Sequence, residues 1–197
     1  IKLENNILTI NFSKEFLNVS QDTEEKMLEA IIYSLTEIDS VKKIKILVEG
    51  EPLTNLPNSN KKIPELLDKN YGINKIYNLD SIKDTSKTTI YYLSKYNDYY
   101  YYVPVTKISN ENLEKAEIII NELKTTPIYH TNLISYLAAS TNLTNYEILE
   151  NSISLSFDNH LLAGIDDEDM LEEVKYAISL SIRDSYGIDE VIFNISE

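Results

Sequence analysis

The sequence predicts an α+β fold: tandem two-layer domains with helices packed on one face of a small mixed sheet. Three observations predict it. Residues 149–195 repeat residues 4–48; within each copy the apolar period switches from two to 3.6 and back; and 43% hydrophobic residues in a chain of 197 suffice for a buried core. In the repeat, Leu8, Ile10 and Phe12 return as Ile153, Leu155 and Phe157 at a spacing of 145. Ile44, Ile46 and Val48 return as Val191, Phe193 and Ile195 at 147. Between them, Met27-Leu28-Glu29 and Tyr33 return as Met170-Leu171-Glu172 and Tyr176 at 143. Two copies at so long a period indicate a duplicated domain, not a solenoid.

Leu8-Thr9-Ile10-Asn11-Phe12 alternates and reads as a half-buried strand. Over residues 22–39, Met27, Leu28, Ile31, Ile32, Leu35 and Ile38 share one helical face, opposite Glu25, Glu29 and Ser40, with Asp22 or Thr23 as cap. Ile44 to Val48 is the second strand, stopped by Gly50-Glu51-Pro52. This strand-helix-strand, residues 1–53, matches only the second half of the later domain, so the first domain is expected to be truncated. A unit of about 50 residues is marginal as a core. The face bearing Met27, Ile31, Leu35 and Ile38 needs a cover, because each such side chain left in water forfeits about 1.5–3 kcal/mol. The cover is expected from the linker, the second domain or an exchanged copy.

Residues 54–86 read as that linker, with a short helix expected from Pro64 to Lys69 and a stop at Tyr71-Gly72. Its Leu66, Leu67, Ile73, Ile76 and Leu79 predict packing on the domains. The second domain, residues 87–197, opens with a hairpin, Thr88–Leu93 and Tyr99–Val105, turning at Tyr96-Asn97-Asp98. A helix over Asn110–Lys124, capped by Ser109 or Asn110, buries Leu113, Ala116, Ile119, Ile120 and Leu123 and ends at Thr125-Thr126-Pro127. A shorter helix follows over Asn132–Ala139, then strands Tyr146–Leu149 and Ile153–Phe157, a helix Glu168–Asp184 and a last strand Glu190–Ile195.

A formal charge of −14, with Arg183 the only arginine and the lysines scattered, argues against nucleic acid and anionic lipid as partners. Absence of cysteine removes disulfides, thiol chemistry and cysteine metal sites. No apolar run is long enough to span a membrane, and no leader pattern precedes the first strand. The chain starts at Ile1, so a leader or anchor cut away from it is an expectation consistent with the incomplete first copy.

Chemistry-bearing motifs are sparse. The two histidines, His130 and His160, stand outside any hydrolase or metalloprotease pattern, and the four glycines make no phosphate-binding loop. His160 aligns with Glu15 of the first copy, so both histidines read as surface residues. Asp166-Asp167-Glu168-Asp169 lacks the ligand alternation and central glycine of a calcium loop and reads as carboxylates at a helix start. No metal or cofactor is expected. The strongest local bias is Tyr99-Tyr100-Tyr101-Tyr102, with Tyr91, Tyr92 and Tyr96 nearby. In a strand these alternate, giving both faces aromatic rings: a cross-strand tyrosine ladder, or a partner surface. The four tyrosines are the candidate interaction surface.

The tandem arrangement, Leu53-Thr54-Asn55-Leu56-Pro57-Asn58, Tyr71-Gly72-Ile73-Asn74, the Tyr99–Val105 hairpin, the Leu123–Ile128 helix end and Ser185-Tyr186-Gly187 together resemble the GerM family of sporulation and spore germination proteins, with two GerM domains. The resemblance covers nearly the whole chain. It implies a non-enzymatic lipoprotein of endospore-forming bacteria, exposed outside the membrane in the space around the forespore. It also implies a fold like that of ring-building secretion components, and a place in a channel or ring complex between mother cell and forespore. Partners would be other channel proteins or further copies, with membrane attachment through an N-terminal lipid anchor that lies outside this chain; the family's lipobox cysteine is absent here. The alternative is a cell-wall glycan-binding or lytic module, with the tyrosines as a stacking platform and Asp158 as an acid-base group. Asp158 aligns with Ser13 and has no paired carboxylate, which weakens the lytic form.

Overall fold

Strand β1 (Lys2–Glu4) turns through Asn5-Asn6 into β2 (Ile7–Phe12), and both turn residues hold positive φ, 49° and 63°, as a tight hairpin requires. This is the opening of a computed structural model that describes residues 1–81, 83–125, 132–162 and 169–196. It divides the chain into two units, Ile1–Asn74 and Lys75–Glu197. The architecture is α+β, with three mixed sheets among the described residues. Strand β1 escapes sequence reading because its three residues are all exposed and show no buried face.

In the first unit, α1 (Gln21–Leu35) crosses from β2 to β3 (Lys43–Val48), and β4 (Glu51–Pro52) folds back, giving the order β1-β2-β3-β4. Strands β2 and β3 are parallel, Ile7 opposite Lys43 through Phe12 opposite Val48. Leu8, Ile10, Ile44 and Ile46 point to one side, where Leu28 and Ile32 of α1 are fully enclosed. The buried stripe of α1 is rotated from the expected one. Ile38 lies beyond the helix and is 48% exposed, whereas Glu24 and Glu29 are buried.

The missing cover is the chain's own continuation. Leu56, Ile63 and Leu67 complete the core over α1 and β3, so residues 54–74 pack as part of the first unit. Leu67 makes an antiparallel bridge with Ile44, giving and accepting backbone hydrogen bonds at 2.9 and 2.8 Å. The Leu53 amide donates to Ile46, so the open edge of β3 is largely covered. That pairing, and not a helix, is what Pro64–Lys69 forms; only a 3-10 turn follows at Lys69–Tyr71. The buried carboxylates explain why charged residues sit on the inner face of α1. Glu24 accepts from the backbone amides of Asn58 and Ser59 at 2.7 and 2.9 Å, and Glu29 accepts from the Asn74 amide at 3.0 Å. Burial pushes the Glu24 carboxyl up, and the hydrogen bonds from Ser59 and Asn58 outweigh it and hold it below its ordinary value.

The second unit begins with β5 (Ile76–Asn78), followed by β6 (Ser86–Tyr96) and β7 (Tyr99–Ser109), which pair antiparallel along their full length around Asn97-Asp98. Then come α2 (Lys115–Leu123), β8 (Leu133–Ile134), β9 (Leu143–Ile148), β10 (Ser152–Phe157), α3 (Glu172–Tyr186) and β11 (Glu190–Ile195). Two sheets form, β5-β7-β6-β8 and β11-β10-β9, and one core joins them through the two helices. Its centre is Ile90, Tyr92 and Leu93 of β6, Ile119 and Ile120 of α2, Leu155 and Phe157 of β10, and Ile178 and Ile182 of α3.

Helix α2 starts five residues later than the sequence predicts. Strand β7 runs to Ser109, and the Asn110 side chain accepts from the amides of Asp80 and Ser81 and donates to the Lys83 carbonyl, so it clamps a loop instead of capping a helix. Leu113 is consequently 46% exposed. The expected helix over Asn132–Ala139 is replaced by β8, where Leu133 and Ile134 pair with Ser94 and Leu93 at the edge of β6. Residues 126–128 of the expected helix stop lie outside the described residues.

Helix α3 seals the rest of that edge. Ser181 Oγ accepts from the Tyr91 amide at 2.8 Å, and Ser185 Oγ both accepts from the Thr89 amide and donates to its carbonyl at 3.2 Å. Two serine hydroxyls thus stand where a neighbouring strand would. The helix ends at Tyr186 with Gly187 in the left-handed conformation, φ 68°, its amide donating to Arg183.

Strands β10 and β11 repeat the parallel pairing of β2 and β3, Ser152 opposite Glu190 through Phe157 opposite Ile195. The spacings of 145 and 147 map the two ladders onto each other residue for residue. The helical part of the repeat does not map in this way. Met27-Leu28 sit inside α1, whereas Met170-Leu171 precede α3, and Tyr33 is buried while Tyr176 is exposed. Strand register is set by pairing; a helix is free to slide by a turn as long as an apolar stripe meets the sheet.

Candidate interaction surface

The tyrosine run occupies the outer end of the β6-β7 hairpin. Cross-strand partners are Tyr96 for Tyr99, Lys95 for Tyr100, Ser94 for Tyr101 and Leu93 for Tyr102. Only the Tyr96 and Tyr99 pair is tyrosine on tyrosine, so the run makes no extended ladder across the hairpin. Alternation puts Tyr99 and Tyr101 on one face, with Tyr96, and Tyr100 and Tyr102 on the other. Tyr99, Tyr100 and Tyr101 are exposed, while Tyr102 packs partly against the core.

On the Tyr100 and Tyr102 face the strand meets other elements. The Tyr102 ring lies 6.2 Å from that of Tyr176 on α3, tilted by 48°. Lys95 Nζ lies 5.4 Å from the centre of the Tyr100 ring. Tyr136, after β8, comes near enough to Tyr100 for the two hydroxyls to interact. That interaction, then burial and the charge of Glu173, raise the Tyr136 hydroxyl above its ordinary pKa; burial, then Glu173, Tyr176 and Glu172, raise Tyr102. Tyr136, Tyr176 and Glu173 were not picked out as companions of the run by the sequence. Only the spacing of Glu172 and Glu173 to Tyr176, four and three residues, could have placed those three on one helix face.

On the other side of the hairpin is a buried polar cluster. Lys107 Nζ donates to Glu111 at 2.5 Å and to Glu122 at 2.7 Å, and the Tyr92 hydroxyl donates to Glu122 at 3.3 Å. Burial pulls the Lys107 pKa down, and the two carboxylates more than reverse this; burial, then Glu122, push Tyr92 up. The cluster ties α2 to the sheet, with every charge paired.

Asp158 behaves as a cap. It accepts from the Asn142 amide and side chain at 3.1 and 2.7 Å and from the His160 amide at 3.3 Å, with His160 Nδ1 at 3.1 Å. Burial raises its pKa, but the Asn142 and His160 interactions outweigh it and leave the carboxyl below its ordinary value. Such a group is ionised at neutral pH and unsuited to donating a proton. His130 and residues Asp166, Asp167 and Glu168 lie outside the described residues. Also among the described residues, no helix is long and apolar enough to cross a membrane.

A family model described as "Germane: Sporulation and spore germination" matches residues 1–54. Over 191 residues, 94% of the chain, the sequence is 27% identical to the spore germination protein GerM of Bacillus subtilis (strain 168). The solved structure of the tandem GerMN domains of the sporulation protein GerM from Bacillus subtilis superposes with a TM-score of 0.88 at 26% identity, covering 99% of this chain and 69% of that one. The chain is similar to GerM over nearly its whole length. Both strand-helix-strand units lie within the part that superposes on the tandem GerMN domains. The chain spans about half, 52%, of the length of the curated relative it matches.

Proposed function

We propose that this GerM-like chain is a non-enzymatic structural protein of sporulation and spore germination, working outside the cytoplasm in the space around the forespore as part of a channel or ring complex between mother cell and forespore. In this reading the intact protein is held at the membrane by an N-terminal lipid anchor and acts by protein contact through sheet edges, helix faces and the tyrosine hairpin. The observation that supports the reading is the match, over 99% of this chain, to the tandem GerMN domains of a sporulation protein, with a TM-score of 0.88. The local chemistry supports it. The carboxylates best placed for acid-base work are committed to structure: Glu24 and Glu29 to backbone amides, Glu122 to Lys107, and Asp158 to a 3-10 turn.

The test is to mix the whole ectodomain with purified channel proteins of the forespore membranes, and separately with peptidoglycan fragments. Co-elution with a channel protein and no change in the glycan supports the proposal. Turnover of the glycan contradicts its non-enzymatic part, and failure to co-elute with any channel protein contradicts the complex.

A further inference from the structure

Four tyrosines from three separate elements of the second unit converge: Tyr100 and Tyr102 on one face of β7, Tyr136 after β8, and Tyr176 on α3. The cluster is linked internally by the Tyr102 and Tyr176 ring contact at 6.2 Å, with Tyr136 beside Tyr100. Tyr102 anchors it to the core, yet Tyr100, Tyr136 and Tyr176 remain 48%, 42% and 53% exposed. Rings recruited only for packing would be more fully enclosed, since each carries a large apolar area.

The surroundings are negative. Glu172 and Glu173, on the first turn of α3, act on Tyr102, and Glu173 also acts on Tyr136. Ring faces are themselves the negative side of the aromatic quadrupole. The chain already uses one of these rings to hold a cation, because Lys95 sits over Tyr100. Tyr102 and Tyr136 lie within reach of these carboxylates, and Tyr176 follows them on the same helix, within a protein of net charge −14.

We infer that Tyr102, Tyr136 and Tyr176, with Glu173, form a half-open aromatic cradle for a lysine or arginine side chain on a basic segment of a partner protein. The charge selects the partner. Anionic lipid and nucleic acid are repelled, and a basic peptide is drawn both by the overall field and by the local carboxylates. A guanidinium fits best, since it stacks flat on a ring while its edge donates to a carboxylate. The inference deepens the reading of the hairpin as a partner surface and does not depend on ring assembly.

The test is titration calorimetry on the whole chain with a capped peptide of alternating glycine and arginine, beside the same peptide carrying citrulline and beside chitotetraose. Wild-type protein binds the arginine peptide, more weakly as salt rises, and binds the citrulline peptide at least tenfold less. Changing Tyr136→Leu and Tyr176→Leu together weakens binding about tenfold or more, from two aromatic contacts of ordinary strength. Tyr136→Phe with Tyr176→Phe retains it, because the rings and not the hydroxyls hold the cation. Glu173→Gln weakens it several-fold. Glu4→Gln with Glu37→Gln, in the first unit, leaves it unchanged. No binding of the arginine peptide overturns the inference. So does binding that survives the leucine changes but falls with Glu4 and Glu37, which would report a diffuse acidic surface. Tyrosine-dependent binding of chitotetraose alone would make the cluster a sugar platform and also overturn it. Self-association measured by sedimentation is read separately, so failure here and failure of the complex are distinguishable.

Discussion

Replacing Leu67 by alanine separates a chain segment that is core from one that merely rests on a core. Leu67 is 2% exposed, it packs with Leu28, Ile32 and Ile44, and its backbone bridges to Ile44 at 2.8 and 2.9 Å. Truncation leaves the backbone bridge possible but removes three buried carbon atoms from an enclosed site. Leucine-to-alanine changes in such sites cost about 2–5 kcal/mol, through lost burial and the cavity left behind. The first unit is only 74 residues long, a size at which that loss is a large share of the total stability. Native-state hydrogen exchange read by mass spectrometry resolves the effect by unit, which a single melting curve does not. Because every 1.4 kcal/mol is a factor of ten, amides of β2 and β3 should exchange about 30-fold faster or more in Leu67→Ala. Amides of β10 and β11 serve as the internal reference. If β3 protection changes by less than about threefold, below about 0.7 kcal/mol, residues 54–74 are a dispensable tether and the description of the first unit is wrong.

Ser181→Ala removes the hydroxyl that accepts from the Tyr91 amide inside a fully buried contact; destabilisation of about 1–3 kcal/mol is expected from the desolvated amide, measured by urea unfolding followed through far-UV circular dichroism, and a change below about 0.5 kcal/mol would mean that the α3 serines do not seal the β6 edge. Acid should weaken both units through depressed carboxyls. Glu24 and Asp158 have folded pKa values below their ordinary ones, so their stabilisation is complete at neutral pH, above the unfolded values near about 4, and is lost as pH falls through the depressed folded values. Carboxyl carbon NMR titration should give midpoints for both below the ordinary values of their residue types, near about 4; a midpoint at or above those values contradicts the capping assignments.

The strands were the legible part of the sequence. Leu8, Ile10 and Phe12 against Ile153, Leu155 and Phe157 announce the same one-faced strand twice over, and each of the two strands pairs parallel with the last strand of its own copy. A strand buried on one face leaves an alternation that survives duplication. The helices were legible as elements but not in phase. Glu24 and Glu29 break the polar rule because their partners, the amides of 58, 59 and 74, are brought near only by the fold. The same blindness made residues 54–74 look like a linker: Leu56, Ile63 and Leu67 show no period, since each enters the core from irregular chain. Leu133-Ile134 was read as helix because two apolar residues cannot reveal a period of two.

Of the candidate surface, the four consecutive tyrosines were visible at once, and their alternation was predictable. Their neighbours were not. Tyr136 and Tyr176 lie 36 and 76 residues beyond Tyr100 in the chain, and only the packing of α3 and the segment after β8 on the hairpin brings them together.

Whether the protein works by assembling, as proposed, is decided by sedimentation velocity of the whole ectodomain across a wide concentration range, alone and with purified forespore channel proteins. Assembly gives a weight-average sedimentation coefficient that rises with concentration, or a faster boundary when a channel protein is added. A single monomeric boundary at every concentration, unmoved by any channel protein, would contradict it.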